Sequence, residues 1–116
     1  MKMFCETTDI YLYKGPVDFR KSINGLMVIV EQNMQLSPFT GALFVFCNKA
    51  RNKLKILYWD KTGFALWYKR LEKERFKWPV QLTNSTIELD ENQLNQLLAG
   101  YDVIGHKALI YQCSGL

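Results

Sequence analysis

Ten cations crowd one stretch of this chain: Lys49, Arg51, Lys53, Lys55, Lys61, Lys69, Arg70, Lys73, Arg75 and Lys77. Only Asp60, Glu72 and Glu74 oppose them, so the stretch carries +7 in a chain whose net charge is +4, and the remainder sums to −3. Aromatic residues, Tyr58, Trp59, Trp67 and Tyr68 among them, are threaded between these cations. The chemistry such a composition suits is non-covalent. Ammonium and guanidinium groups neutralise a polyanion, and exposed rings stack on bases or pack against a partner. The same alternation also fits a strand with one solvated face, and lysines at a sheet edge block aggregation.

Covalent chemistry finds less support. A hydrolase or nuclease needs converging carboxylates, or a nucleophile with its base. Asp9, Asp18 and Asp60 are scattered, and each suits a turn or a helix cap. Glu72 and Glu74 sit among cations, and a metal-dependent nuclease would require distant carboxylates to meet in space. His106 is the one histidine, and no serine or cysteine is tied to it by a recognised spacing. Neither Gly-x-x-x-x-Gly-Lys-Ser/Thr nor Gly-x-Gly-x-x-Gly occurs. Cys5, Cys47 and Cys113 are an odd number without a Cys-x-x-Cys pair. They indicate neither a disulfide framework nor a zinc site, and reduced thiols in a cytosol are expected. No cofactor and no metal are expected. The start, Met1 to Glu6, meets acid at once and does not read as a signal peptide; the longest apolar run, Ala42 to Cys47, is too short to span a bilayer. A cytoplasmic protein without membrane contact is the expectation.

The elements that must position the cations are legible in outline. A chain of 116 residues is expected to form a single domain over 1–116, with an uncertain tail at 101–116. Ile10 to Tyr13 reads as a strand ended by Gly15-Pro16. Asp18 is placed to cap a helix whose apolar stripe is Phe19, Ile23, Leu26, Met27, Val30 and Met34. Gly25 weakens that helix and suggests a close contact. Ala42 to Phe46 reads as a central strand, and Asn48 to Asn52 as a basic turn. Ile87 to Leu89 is a short strand, and Asp90 caps a short helix carrying Leu94, Leu97 and Leu98 that Gly100 ends. The class is α+β: an antiparallel sheet of about four or five strands, one main helix packed on one face and a short C-terminal helix.

Lys53 to Lys69 reads as a β-hairpin. A three-residue loop of Lys61, Thr62 and left-handed Gly63 sets Asp60 opposite Phe64, Ile56 opposite Tyr68, Leu57 opposite Trp67 and Lys55 opposite Lys69. One face then carries Leu54, Ile56, Tyr58, Phe64, Leu66 and Tyr68, which pack on the main helix. The other carries Lys53, Lys55, Leu57, Trp59, Trp67 and Lys69. The assignment depends on loop length, because a slip of one residue rearranges both faces.

Two blocks of the sequence carry a resemblance. One is Gly15-Pro16-Val17-Asp18-Phe19-Arg20-Lys21-Ser22-Ile23-Asn24-Gly25-Leu26. The other runs Leu57-Tyr58-Trp59-Asp60, Gly63-Phe64, Leu66-Trp67-Tyr68-Lys69-Arg70-Leu71-Glu72, Arg75-Phe76 and Trp78-Pro79. With Pro38-Phe39-Thr40-Gly41 and Leu43-Phe44-Val45-Phe46, the chain resembles the small TnpB accessory protein of bacterial insertion-sequence family 66. The resemblance implies a role in transposition beside a separate, larger transposase that carries the catalytic carboxylates, and beside a further small accessory protein. It implies no catalytic activity for this chain, and it is unrelated to the RNA-guided nuclease that shares the TnpB name.

Residues and resemblance together give the expectation of a non-catalytic DNA-binding accessory protein. Lys53, Lys55, Lys69, Arg70, Arg75 and Lys77 would contact phosphates, with Trp59 or Trp67 stacking or wedging. Arg20 and Lys21 lie off the Phe19–Ile23–Leu26 stripe, where they either extend that surface or serve in capping and solvation. The competing expectation is a protein–protein adaptor that docks the transposase without touching DNA.

Overall fold

A computed structural model describes residues 8–79 and 84–100. Its centre is strand β2 (Leu43–Cys47), in which all five side chains are buried. A continuous apolar strand needs cover on both faces, and the sheet supplies it. Strand β1 (Ile10–Pro16) lies on one side of β2. Strand β3 (Lys53–Asp60) lies on the other, followed by β4 (Gly63–Arg70). Strand β5 (Thr86–Leu89) joins the outer edge of β1, giving the order β4-β3-β2-β1-β5.

The α+β class, the five strands, the main helix and the short C-terminal helix are as expected from the sequence. The sheet departs from an all-antiparallel one in a single pair: β1 and β2 run parallel, Ile10 beside Leu43 and Pro16 beside Cys47. The helix between them makes the crossover that a parallel pair requires.

That helix covers one face. It begins as α1 (Ile23–Val28) and widens into a π-helical turn, Ile29–Asn33, where the Met34 N–H reaches back five residues to the Ile29 carbonyl. The stripe packs as its spacing predicts: Leu26, Val30 and Met34 are buried with Val17, Phe44, Phe46 and Leu57, and Phe19, Ile23 and Met27 pack at the rim. Asp18 does not cap it. Ser22 is the N-cap residue, and the Asp18 carboxylate accepts from the Arg20 backbone and guanidinium instead. The close contact at Gly25 is with the Lys21 side chain, whose Cβ would lie 2.9 Å from an added methyl.

The second face is covered by α2 (Glu91–Leu98). Asp90 accepts from the Gln93 N–H while the Gln93 side chain accepts from the Asp90 N–H, which satisfies two otherwise orphaned donors. Leu94, Leu97 and Leu98 pack on Ile10, Leu12, Val45, Leu54 and Ile56. Phe76 and Trp78 fill the same layer, from a segment with no regular structure. Each such fully buried Leu or Phe contributes about 1.5–3 kcal/mol.

The hairpin register differs from expectation by one residue. Lys61, not Gly63, takes the left-handed backbone, with φ 57°, and the Thr62 N–H turns back to the Asp60 carbonyl. The loop is therefore two residues, and Asp60 pairs with Gly63, Leu57 with Leu66, Ile56 with Trp67, Lys55 with Tyr68 and Leu54 with Lys69. Leu54, Ile56 and Tyr58 consequently face α2 with Trp67, while Leu57, Phe64 and Leu66 face the main helix. The segment from Tyr101, with His106, and the residues before Thr8 lie outside the described residues.

Candidate nucleic-acid interface

Topology sorts the charges. Because β1 and β2 are parallel, both finish at one end of the sheet; β3 starts there and β4 ends there, with Lys53 directly opposite Arg70. The β1–α1 loop, the β2–β3 turn and the segment after β4 therefore meet at one end. The last of these is tied down by the Leu71 N–H on the Asn52 carbonyl and the Phe76 N–H on the Arg51 carbonyl, the latter at 2.7 Å. Arg20, Lys21, Lys49, Arg51, Lys53, Arg70, Lys73, Arg75 and Lys77 all sit on these pieces. The other end carries Asp9, Asp60, Asp90 and Glu91, with Lys61 at the hairpin tip.

Of the eight candidate contact residues, four share the cationic end. Lys53 and Arg70 are cross-strand neighbours on the main-helix face. Such a like-charged pair is unfavourable by a few tenths of a kcal/mol or more, and Arg70 answers it by donating from Nε to Glu72 Oε2 at 3.0 Å. Arg75 and Lys77 are exposed, alternating with Phe76 and Trp78, which are 2% and 6% exposed. The alternation of those four residues in the sequence is a period-two signal that one side of this segment is anchored.

The other four are placed differently. Lys55 Nζ donates to the carbonyls of Phe19, at 3.1 Å, and Lys21, at 3.2 Å, and lies 4.8 Å from the Phe19 ring centroid. Burial, and then the charge of Lys53, lower its pKa. Lys55 thus pins β3 to the β1–α1 loop. Lys69 is on the opposite face, where Nζ donates to the Leu98 carbonyl at 2.8 Å and neutralises the C-terminal end of α2. The expected juxtaposition of Lys55 with Lys69 does not occur. Nor do Trp59 and Trp67 share a face. Trp67 packs against the α2 layer. Trp59 stands at the acidic end, stacked edge-on with Phe39 and Phe64 at centroid separations of 5.3 and 5.0 Å, and Phe39 is 51% exposed.

The parallel pairing also creates a feature that no single stretch of sequence announces. A cleft of about 700 Å³ opens between the β1–α1 loop and the β2–β3 turn, lined by Pro16, Val17, Phe19, Arg20, Lys49 and Lys53, with Asp18, Asn48 and Ala50. Among the described residues that line it, Asp18 is the one acid. Hydrogen bonds from Arg20, side chain first and backbone second, hold the Asp18 carboxyl down to about 2. Among the described residues no group of three or more His, Cys, Asp or Glu side chains is arranged to hold a metal ion. No helix among them is long and apolar enough to cross a membrane.

Comparison with known proteins bears on this arrangement. A family model described as IS66 Orf2-like protein matches residues 8–108, which includes every element of the sheet and both helices. The chain belongs to the IS66 Orf2-like family. Membership carries an accessory role in insertion-sequence transposition. Two similar proteins come from Sinorhizobium fredii. The uncharacterized protein y4jC is 34% identical over 87 residues, 75% of this chain and 74% of its own. The uncharacterized protein y4hO is 33% identical over 93 residues, 80% of each chain. No solved structure matches the chain.

Proposed function

We propose that this IS66 Orf2-like protein binds DNA through the cationic end of its sheet and thereby assists the transposase and the second accessory protein of its element, without itself catalysing strand chemistry. The observation that carries this reading is the convergence of three separate pieces of chain, each bearing cations, on one end of the sheet. Exposed cations on a rigid platform suit a phosphate backbone, whose neutralisation releases condensed counterions.

The test is binding of the purified protein to labelled duplex from the element's ends and to scrambled duplex, across a salt series. With about five phosphates neutralised, log K falls against log salt with a slope of about −4 to −5. The ratio of affinities for the two duplexes measures any reading of sequence. Salt-independent affinity, or none at low salt, overturns the proposal.

A second reading rests on the cluster of Phe39, Trp59 and Phe64 at the other end. An aromatic group with one ring half exposed suits docking to the transposase, with the charge incidental. It is tested by co-purification with the transposase, which Phe39→Ala then abolishes; co-purification that survives this substitution counts against it.

A further inference from the structure

We infer that the cleft between the β1–α1 loop and the β2–β3 turn seats a DNA phosphodiester, held by Arg20, Lys49 and Lys53, with Asp18 as a guard that the phosphate displaces from Arg20. This rests on the DNA-binding reading above and gives it a location. Arg20 of the first loop, Lys49 of the β2–β3 turn and Lys53 at the start of β3 line one recess, and Pro16, Val17 and Phe19 supply it with an apolar floor suited to a sugar. A floor of that kind lowers the local dielectric and strengthens every charge contact made above it.

The recess is built before any ligand arrives. The Val17 N–H donates to the Cys47 carbonyl at 3.0 Å, which fastens the first loop to the end of β2. Lys55 holds the carbonyls of Phe19 and Lys21 from below. In the second loop the Asn48 side chain accepts from the backbone of Asn52, at 3.1 Å, and of Lys53, at 3.0 Å, around a left-handed Arg51. Preorganised walls lower the ordering cost of binding.

Arg20 already displays the geometry an anion requires. Its Nε and Nη2 donate to the Asp18 carboxylate at 3.0 and 2.5 Å, a fork that phosphate oxygens accept equally well. The two side chains are 91% and 47% exposed, and an ion pair that open to water exchanges partners readily. Asp18 therefore holds the guanidinium of Arg20, one of the lining residues, while repelling phosphate.

The experiment compares the full-length protein with a triple Arg20→Ala, Lys49→Ala, Lys53→Ala variant and with a triple Lys73→Ala, Arg75→Ala, Lys77→Ala variant. Each is titrated with duplex and with single-stranded DNA of one sequence, across a salt series. The cleft variant is expected to flatten the salt slope by about one per lost contact, on both forms of DNA. Asp18→Asn keeps an oxygen for the Arg20 N–H and so preserves the loop; it is expected to tighten binding roughly threefold. A cleft variant that binds like the parent, while the other triple variant loses affinity, overturns the inference and leaves the DNA-binding reading standing. Loss confined to one form of DNA overturns backbone phosphate as the ligand. An Asp18→Asn protein of unchanged or weaker affinity overturns the guard, a result readable even if the triple variant does not fold. If the parent itself binds no DNA, both readings fall together.

Discussion

The two ends of the sheet are made by the same strands and differ in what their turns carry. At one end three connections bring in cations from opposite parts of the sequence. At the other, the hairpin tip, the start of β1 and the cap of α2 bring in Asp60, Asp9 and Asp90. The basic stretch of sequence and the basic region of the molecule therefore overlap without coinciding. Its middle, Trp59 to Lys61, is carried off to the acidic end, while Arg20 and Lys21, thirty residues away in sequence, are delivered to the cationic one. The cations of the stretch are also not equivalent: Lys55 and Lys69, away from that end, serve backbone carbonyls, whereas Lys53, Lys49 and Arg75 at it have no such duty among the hydrogen bonds described.

Breaking each end in turn separates scaffold from surface. Phe76→Ala removes the ring that anchors Arg75 and Lys77, and about 3–5 kcal/mol of stability is expected to be lost in denaturant unfolding. The half-exposed Phe39 at the other end is expected to give less than a third of that loss when replaced by Ala. Next in size, Lys53→Glu with Arg70→Glu is expected to weaken DNA binding at least tenfold in a titration at fixed salt, while Asp60→Asn with Asp90→Asn does not weaken it. Equal effects at the two ends would show that net charge, not its placement, governs binding.

Smaller changes sharpen the contrast. Asp90→Ala deletes the capping box of α2 and is expected to destabilise the fold by about 1 kcal/mol in thermal or denaturant unfolding. Lys69→Ala is expected to destabilise it by about 0.5 kcal/mol, through the lost contact with the end of α2, without changing the salt slope of DNA binding. The smallest signal is the titration of Asp18. Its carboxyl lies below its unfolded value, so the pairing with Arg20 is complete above the ordinary carboxylate range and is lost as pH falls through about 2. A carboxyl-detected NMR titration giving an unshifted midpoint would remove Arg20 as its partner.

What the sequence made legible was local. The apolar run of β2, the stripe of the main helix and the capping of α2 by Asp90 each follow from residues within a few positions of one another. The hairpin was legible as a hairpin but not in register, because Gly63 is the residue expected to adopt a positive φ and Lys61 adopts it instead. That one position turns β3 over relative to β4: Leu54, Ile56 and Tyr58 join Trp67 on the α2 face, and Leu57 joins Phe64 and Leu66 under the main helix. The parallel pairing of β1 with β2 joins segments more than thirty residues apart, and no local pattern encodes it. The cleft depends wholly on that pairing. Its cations were visible one by one, but their meeting was not.

Cys47 ends the central strand at 1% exposure, and burial pushes its thiol up to about 12. A protein carrying Cys5→Ser and Cys113→Ser would retain it as the sole sulfhydryl, silent toward a disulfide reagent while the sheet is closed. Labelling would then proceed only as fast as β2 comes loose from its neighbours, and the reagent becomes a clock for the opening of the core. Since Cys47 lies beside Pro16 and accepts the Val17 N–H through its carbonyl, the same clock reports on the loop that frames the cleft. A bound anion that steadies that loop would make it run slow.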